Sequence, residues 1–133
     1  MRVNALDHVN IIAEDLHGTA RFYAELLSLE ILDAPAPLTR DTAQWLYDAD
    51  GRAIFHINSV DCIRAYDRAV EPGNVTGAIH HVALNCSGYD EIIRRLEDRS
   101  LDFQTNFVGA IGLKQIFVSE PNGVLLELNF FGD

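Results

Sequence analysis

Apolar and polar positions alternate from Leu6 to Ile12, and the β-branched residues among them predict a strand. Asp15 then caps a helix through Leu27, whose apolar stripe is Leu16, Ala20, Tyr23, Leu26 and Leu27 at spacings of three and four. Strands are predicted at Leu29–Asp33, Ala43–Tyr47 and Arg52–Ser59, with Pro35 and Pro37 breaking the chain between the first two and Asp50-Gly51 turning it before the third. The same order follows again: strand Ala78–Asn85, helix Tyr89–Arg99, then strands at Phe103–Phe107, Leu113–Val118 and Val124–Phe130. Residues 61–77 carry mixed charge and Pro72-Gly73-Asn74, as a linker does, with one helical turn expected near Cys62–Ala69.

The repetition extends to short motifs. Leu6-Asp7-His8-Val9 is echoed 73 residues later by Ile79-His80-His81-Val82, and Asp48-Ala49-Asp50-Gly51 is echoed 72 residues later by Glu120-Pro121-Asn122-Gly123. The chain is therefore read as one domain, residues 1–133, built from two βαβββ modules: module one at 1–60, the linker at 61–77 and module two at 78–133.

Strand parity separates a core face from a polar one. Val9 and Ile11, Ala53, Phe55 and Ile57, Val82 and Leu84, and Val124, Leu126, Leu128 and Phe130 make purely apolar faces. The opposite faces carry His8, His56, His81 and Glu127, each expected in mid-strand, with Asn10, Asn58 and Asn129 two residues beyond three of them. Three imidazoles and a carboxylate suit a divalent ion of the Mn, Fe, Co, Ni or Zn group, with Glu127 balancing its charge. A carboxylate inside the run Val124-Leu125-Leu126-Glu127-Leu128 must be paired, coordinated or kept in water. His80, by parity on the helix side, and His17, in the first helical turn, are read as structural or solvated.

Composition narrows the partners. Ten Lys and Arg against 20 Asp and Glu give a net charge of -10, which disfavours nucleic acid and anionic lipid. No apolar run approaches the ~20 residues of a membrane span, and no export signal is visible, so a cytoplasmic protein with a small-molecule substrate is expected. Cys62 and Cys86 are unpaired in that setting. No phosphate-binding glycine loop of the GxGxxG or Gly-Lys-Ser/Thr kind is present.

These motifs, together with Ala20-Arg21-Phe22-Tyr23, Leu26-Leu27 and the closing Glu120–Leu128 segment, resemble the vicinal oxygen chelate superfamily across nearly the whole chain. That superfamily includes glyoxalase I, extradiol dioxygenases, and fosfomycin- and bleomycin-resistance proteins. The resemblance implies an α+β fold in which the two modules form a cup-shaped, eight-stranded mixed sheet with the helices outside. It implies metal ligands at His8, His56, His81 and Glu127, although glyoxalase I usually has Glu at the His56 position. The two-His, one-Glu triad of the dioxygenases and fosfomycin enzymes would be met by His8, His81 and Glu127. The implied activity is a metal-dependent, glyoxalase-I-like isomerisation or lyase reaction on a substrate with two vicinal oxygens, with Glu127 as general base. An Fe(II) extradiol dioxygenase and a non-catalytic, bleomycin-resistance-like binding module are the alternatives. A homodimer is expected, because sheets with open edges are readily completed by a second copy.

Overall fold

The computed structural model describes residues 1–132, which divide into two compact units at residues 1–71 and 72–132. The first unit runs β1 (Val9–Ala13), α1 (Leu16–Leu27), β2 (Glu30–Asp33), β3 (Ala43–Tyr47) and β4 (Ala53–Ser59). The second runs β5 (Val82–Asn85), α2 (Tyr89–Asp98), β6 (Gln104–Val108), β7 (Leu113–Ser119) and β8 (Leu125–Phe131), with one 3₁₀ turn at Gly109–Ile111. The eight strands form two four-stranded mixed sheets in the orders β1-β4-β3-β2 and β5-β8-β7-β6. In each, the first strand lies parallel to the last and the remaining pairs are antiparallel. The doubled βαβββ order read from the sequence is thus the observed fold.

Each core is the apolar face that parity assigns. Ile11, Phe55, Ile57 and Leu46 pack with Leu16, Ala20, Tyr23 and Leu26 of α1 buried in the first unit. Ile116, Val118, Leu126, Leu128 and Phe130 are buried with Ile92 and Leu96 of α2 in the second. The Asp15 side chain caps α1 by accepting from the Gly18 N–H at 3.0 Å, as its position before the apolar stripe predicts.

The last strand of each unit leaves a turn of one design. The backbone N–H of Asp48 donates to Arg52 O at 2.9 Å, and that of Glu120 to Val124 O at 2.9 Å. One carboxylate oxygen of Asp48 accepts from the N–H groups of Asp50 and Arg52, and one of Glu120 from those of Asn122 and Val124. Gly51 and Gly123 hold the left-handed positions, at φ 77° and 86°.

Two expectations are corrected. β1 begins at Val9 and β5 at Val82, not at Leu6 and Ala78; the apolar residues ahead of them, Leu6 and Ile79, are exposed and bury nothing that would hold an earlier strand. His8 and His81 therefore stand at the mouths of their strands rather than in mid-strand. Residues 62–69 form no helical turn. Val60, Ile63, Tyr66 and Val70 are all exposed, so a helix this short would lack the packing that sustains it.

Candidate metal centre

The register of the two sheets places His56 and Glu127 at one structural position. Asn10 pairs with His56 as Ala83 pairs with Glu127, and on the other side Trp45 faces His56 as Phe117 faces Glu127. The sequence-predicted ligands fall into two pairs, one in each unit.

In the first unit, His8 and His56 are brought together as a stack, with ring centroids 3.8 Å apart and planes 12° from parallel. Trp45 lies against His56 at 3.8 Å and 5°, so the three rings form one column. A metal ion lies in the plane of each imidazole it binds, and planes this close to parallel direct their lone pairs side by side instead of at one point. His8 Nδ1 is 2.5 Å from Asp7 Oδ2, an outer carboxylate that orients the ring and leaves Nε2 for a ligand. Burial, and then the nearby charge of His8, holds His56 below the usual imidazole range, with the Asp7 carboxylate opposing them. A neutral ring at position 56 favours the stack.

In the second unit, His81 Nε2 lies 3.1 Å from Glu127 Oε2. Two ligands bound cis to one ion at roughly 2.1 Å each stand about 3.0 Å apart, so this pair fits two coordination positions of a divalent metal. His81 Nδ1 is 3.0 Å from Nδ1 of His80. With the proton on His81 Nδ1 and donated to His80, Nε2 presents a lone pair. His80 is thus the partner of a candidate ligand, a contact that strand parity does not foresee because it forms ahead of β5. Glu127 is mostly buried, and Gln115 Nε2 donates to its Oε1 at 2.8 Å and to Asn129 Oδ1 at 3.1 Å. Asn106 Nδ2 in turn donates to Gln115 Oε1 at 2.8 Å.

Gln115 and Trp45 are the site residues that sequence reasoning missed. Both sit on inner strands, and extending the parity comparison from the first and last strands to β3 and β7 finds them. His17 lies apart, bonded to Asp41 and Gln44 in the first unit. Cys62 and Cys86 are free, and burial pushes the Cys86 thiol up to about 11, so Cys86 is not an activated nucleophile. Among the described residues, no group of three or more His, Cys, Asp or Glu side chains is arranged to hold a metal ion, and no helix is long and apolar enough to cross a membrane.

Solved structures share this fold at low sequence identity. A protein from the mobile metagenome of V. Pseudocholerae superposes with a TM-score of 0.76 at 12% identity, over 100% of this chain and 98% of that one. A fosfomycin resistance protein from Listeria monocytogenes gives 0.68 at 15% identity, over 97% and 94%. Lactoylglutathione lyase from Agrobacterium tumefaciens gives 0.66 at 17% identity, over 98% and 96%. No curated protein matches the chain significantly by sequence. The family pattern described as Glyoxalase/Bleomycin resistance protein/Dioxygenase superfamily matches residues 5–128. With that match spanning both βαβββ units and all four ligand-type positions, the chain belongs to the Glyoxalase/Bleomycin resistance protein/Dioxygenase superfamily.

Proposed function

We propose that the chain is a divalent-metal-dependent enzyme acting on a small substrate with two adjacent oxygens, in a glyoxalase-I-like proton transfer of the isomerase or lyase class. The observation that carries this reading is the His81–Glu127 pair at 3.1 Å, with the second oxygen of Glu127 held by an amide donor. By the superfamily resemblance, His8, His81 and Glu127 are the proposed ligand set, with the His81–Glu127 pair the part that the second unit holds together. In this reading His56, stacked on His8, acts as a support for that ring. A divalent ion bound there, of the Ni, Co, Zn, Mn or Fe group, supplies Lewis acidity that stabilises negative charge developing on the substrate oxygens. Asp7 and His80 orient the two imidazoles through their Nδ1 atoms. Gln115 keeps Glu127 Oε1 occupied, so that Oε2, once Glu127 leaves the metal on substrate binding, would be the oxygen that takes a proton from one substrate carbon and returns it to the next.

Glu127→Gln keeps the shape and removes the base. Turnover of a 2-oxoaldehyde hemithioacetal should fall at least ~100-fold, the range general-base catalysis supplies, while much of the metal binding is retained. Retained turnover in this variant would remove Glu127 from the role.

The stack of His8 on His56 also favours a second reading. A two-His, one-carboxylate set suits Fe(II) and ring-cleaving dioxygenation, which oxygen consumption on adding a catechol to the iron-loaded protein would reveal. The fosfomycin resistance relative and the dioxygenases named in the family description keep both chemistries in view. A homodimer completes the proposal, and a monomer in light scattering would remove that part of it.

A further inference from the structure

Four amide and carboxylate side chains cross the second sheet in a fixed order. Asn106 on β6 faces Gln115 on β7, and Gln115 faces Asn129 on β8 while reaching diagonally to Glu127. An ionised carboxylate only accepts hydrogen bonds, so Glu127 requires the NH₂ end of Gln115. The carbonyl end of Gln115 then faces Asn106 and requires a donor there, which Asn106 Nδ2 supplies at 2.8 Å. Both N–H groups and the oxygen of Gln115 are thereby engaged. The first unit has no counterpart, since Ala43 faces Asn58 where Gln115 faces Asn129.

We infer that Asn106 is a positioning residue for Glu127, acting through Gln115: by engaging the Gln115 carbonyl, it commits the amide to donate to the carboxylate. Asn106 is exposed and bonds Gln115 on β7, the strand that lies between it and Glu127, so its role shows through the relay. The consequence for metal binding rests on Glu127 being a ligand, as proposed above; the relay itself does not.

Asn106→Asp tests it with almost no change of shape. Aspartate at 106 cannot donate to Gln115, and two carboxylates then compete for one NH₂ group. In the metal-free, ¹⁵N-labelled protein, the Gln115 side-chain amide protons should resonate downfield and exchange slowly, and both features should diminish in N106D and in E127A. Unchanged Gln115 amide signals in N106D would overturn the inference, whatever the metal does.

Cobalt(II) titration gives the second readout. The charge added by N106D would by itself tighten binding of a cation. The relay instead requires a loss of roughly 10-fold, within the range outer-shell changes cause. That loss should vanish in the Gln115→Met background, where no amide remains to be turned. Binding as tight as or tighter than the unmodified protein's, with Gln115 present, would contradict the relay. Absence of cobalt binding by the unmodified protein would instead refute the metal-centre reading, leaving the amide signals to decide the relay.

Discussion

In the first unit the position shared by His56 and Glu127 holds a ring, surrounded by other rings and small apolar groups. Trp45 stacks on it from one side and His8 from the other, and Trp45 rests on a buried cluster of Ala34, Ala43 and Cys62. In the second unit the same position holds a carboxylate, and besides His81 and the facing Phe117 its support is an amide: Gln115 donates to it, with Asn106 and Asn129 engaging Gln115. One backbone plan therefore supports two kinds of functional group by different physics. A ring is oriented by stacking, worth about 0.5–1.5 kcal/mol per aromatic pair beyond burial. A carboxylate is oriented by hydrogen bonds, worth about 1.5–3 kcal/mol when one partner is charged.

The contrast should be widest in metal binding. Glu127→Ala is expected to take cobalt affinity to background, whereas His56→Phe, which keeps a ring in the column, should cost no more than the roughly 10–100-fold typical of outer-shell changes. A loss in H56F as complete as in E127A would restore His56 to the ligand set and end the distinction between the units.

Stability should separate the units next. Trp45→Ala removes the base of the column and should destabilise the protein by about 2–3 kcal/mol, below the 3–5 kcal/mol of a fully buried tryptophan because Trp45 is only half-buried. Urea unfolding measures it, and a cost under ~0.5 kcal/mol, the range of an inert surface change, would show that the stack contributes nothing.

The twin turns sharpen the comparison further. An added Cβ at Gly51 meets nothing within 4 Å, but one at Gly123 would stand 2.7 Å from the Asn74 carbonyl oxygen. Gly51→Ala should cost only the left-handed backbone strain of about 1–2 kcal/mol, and Gly123→Ala that strain plus the clash. Equal midpoints for the two variants would show that residue 74 gives way freely.

The smallest effect is a pH dependence. The Arg52 backbone N–H, above all, holds the Asp48 carboxyl below its ordinary range, against the opposing influence of burial. With a depressed folded value, the unfolded chain takes up its proton first, so this contribution is present at neutral pH and is lost as pH falls below about 4 through the folded value. The stability gap between the unmodified protein and Asp48→Asn should narrow between pH 7 and pH 3. A gap independent of pH would place the contribution of Asp48 elsewhere.

Much of this was legible in the chain. The repeats at offsets 72 and 73, the cap at Asp15 and the core faces all follow from local rules, because alternation, a capping carboxylate and turn glycines report on backbone neighbours. The starts of β1 and β5 were not, since where a parallel ladder stops depends on pairing with a strand more than forty residues away. Nor was the amide support of Glu127, which comes diagonally from Gln115 and not from Phe117, the residue directly opposite. That register is set by pairing across β3 and β7, including the irregularity at Leu46 and Tyr47, and no alternation within a single strand reveals it.

The most direct test is elemental analysis of protein purified without added metal or chelator, alongside a His8→Ala, Glu127→Ala double variant. Near-stoichiometric nickel, cobalt, zinc, manganese or iron in the unmodified protein, lost in the variant, is the expected result. An unmodified protein that carries no metal and takes up none on addition would contradict the metal centre and leave a non-catalytic binding module as the function of this fold.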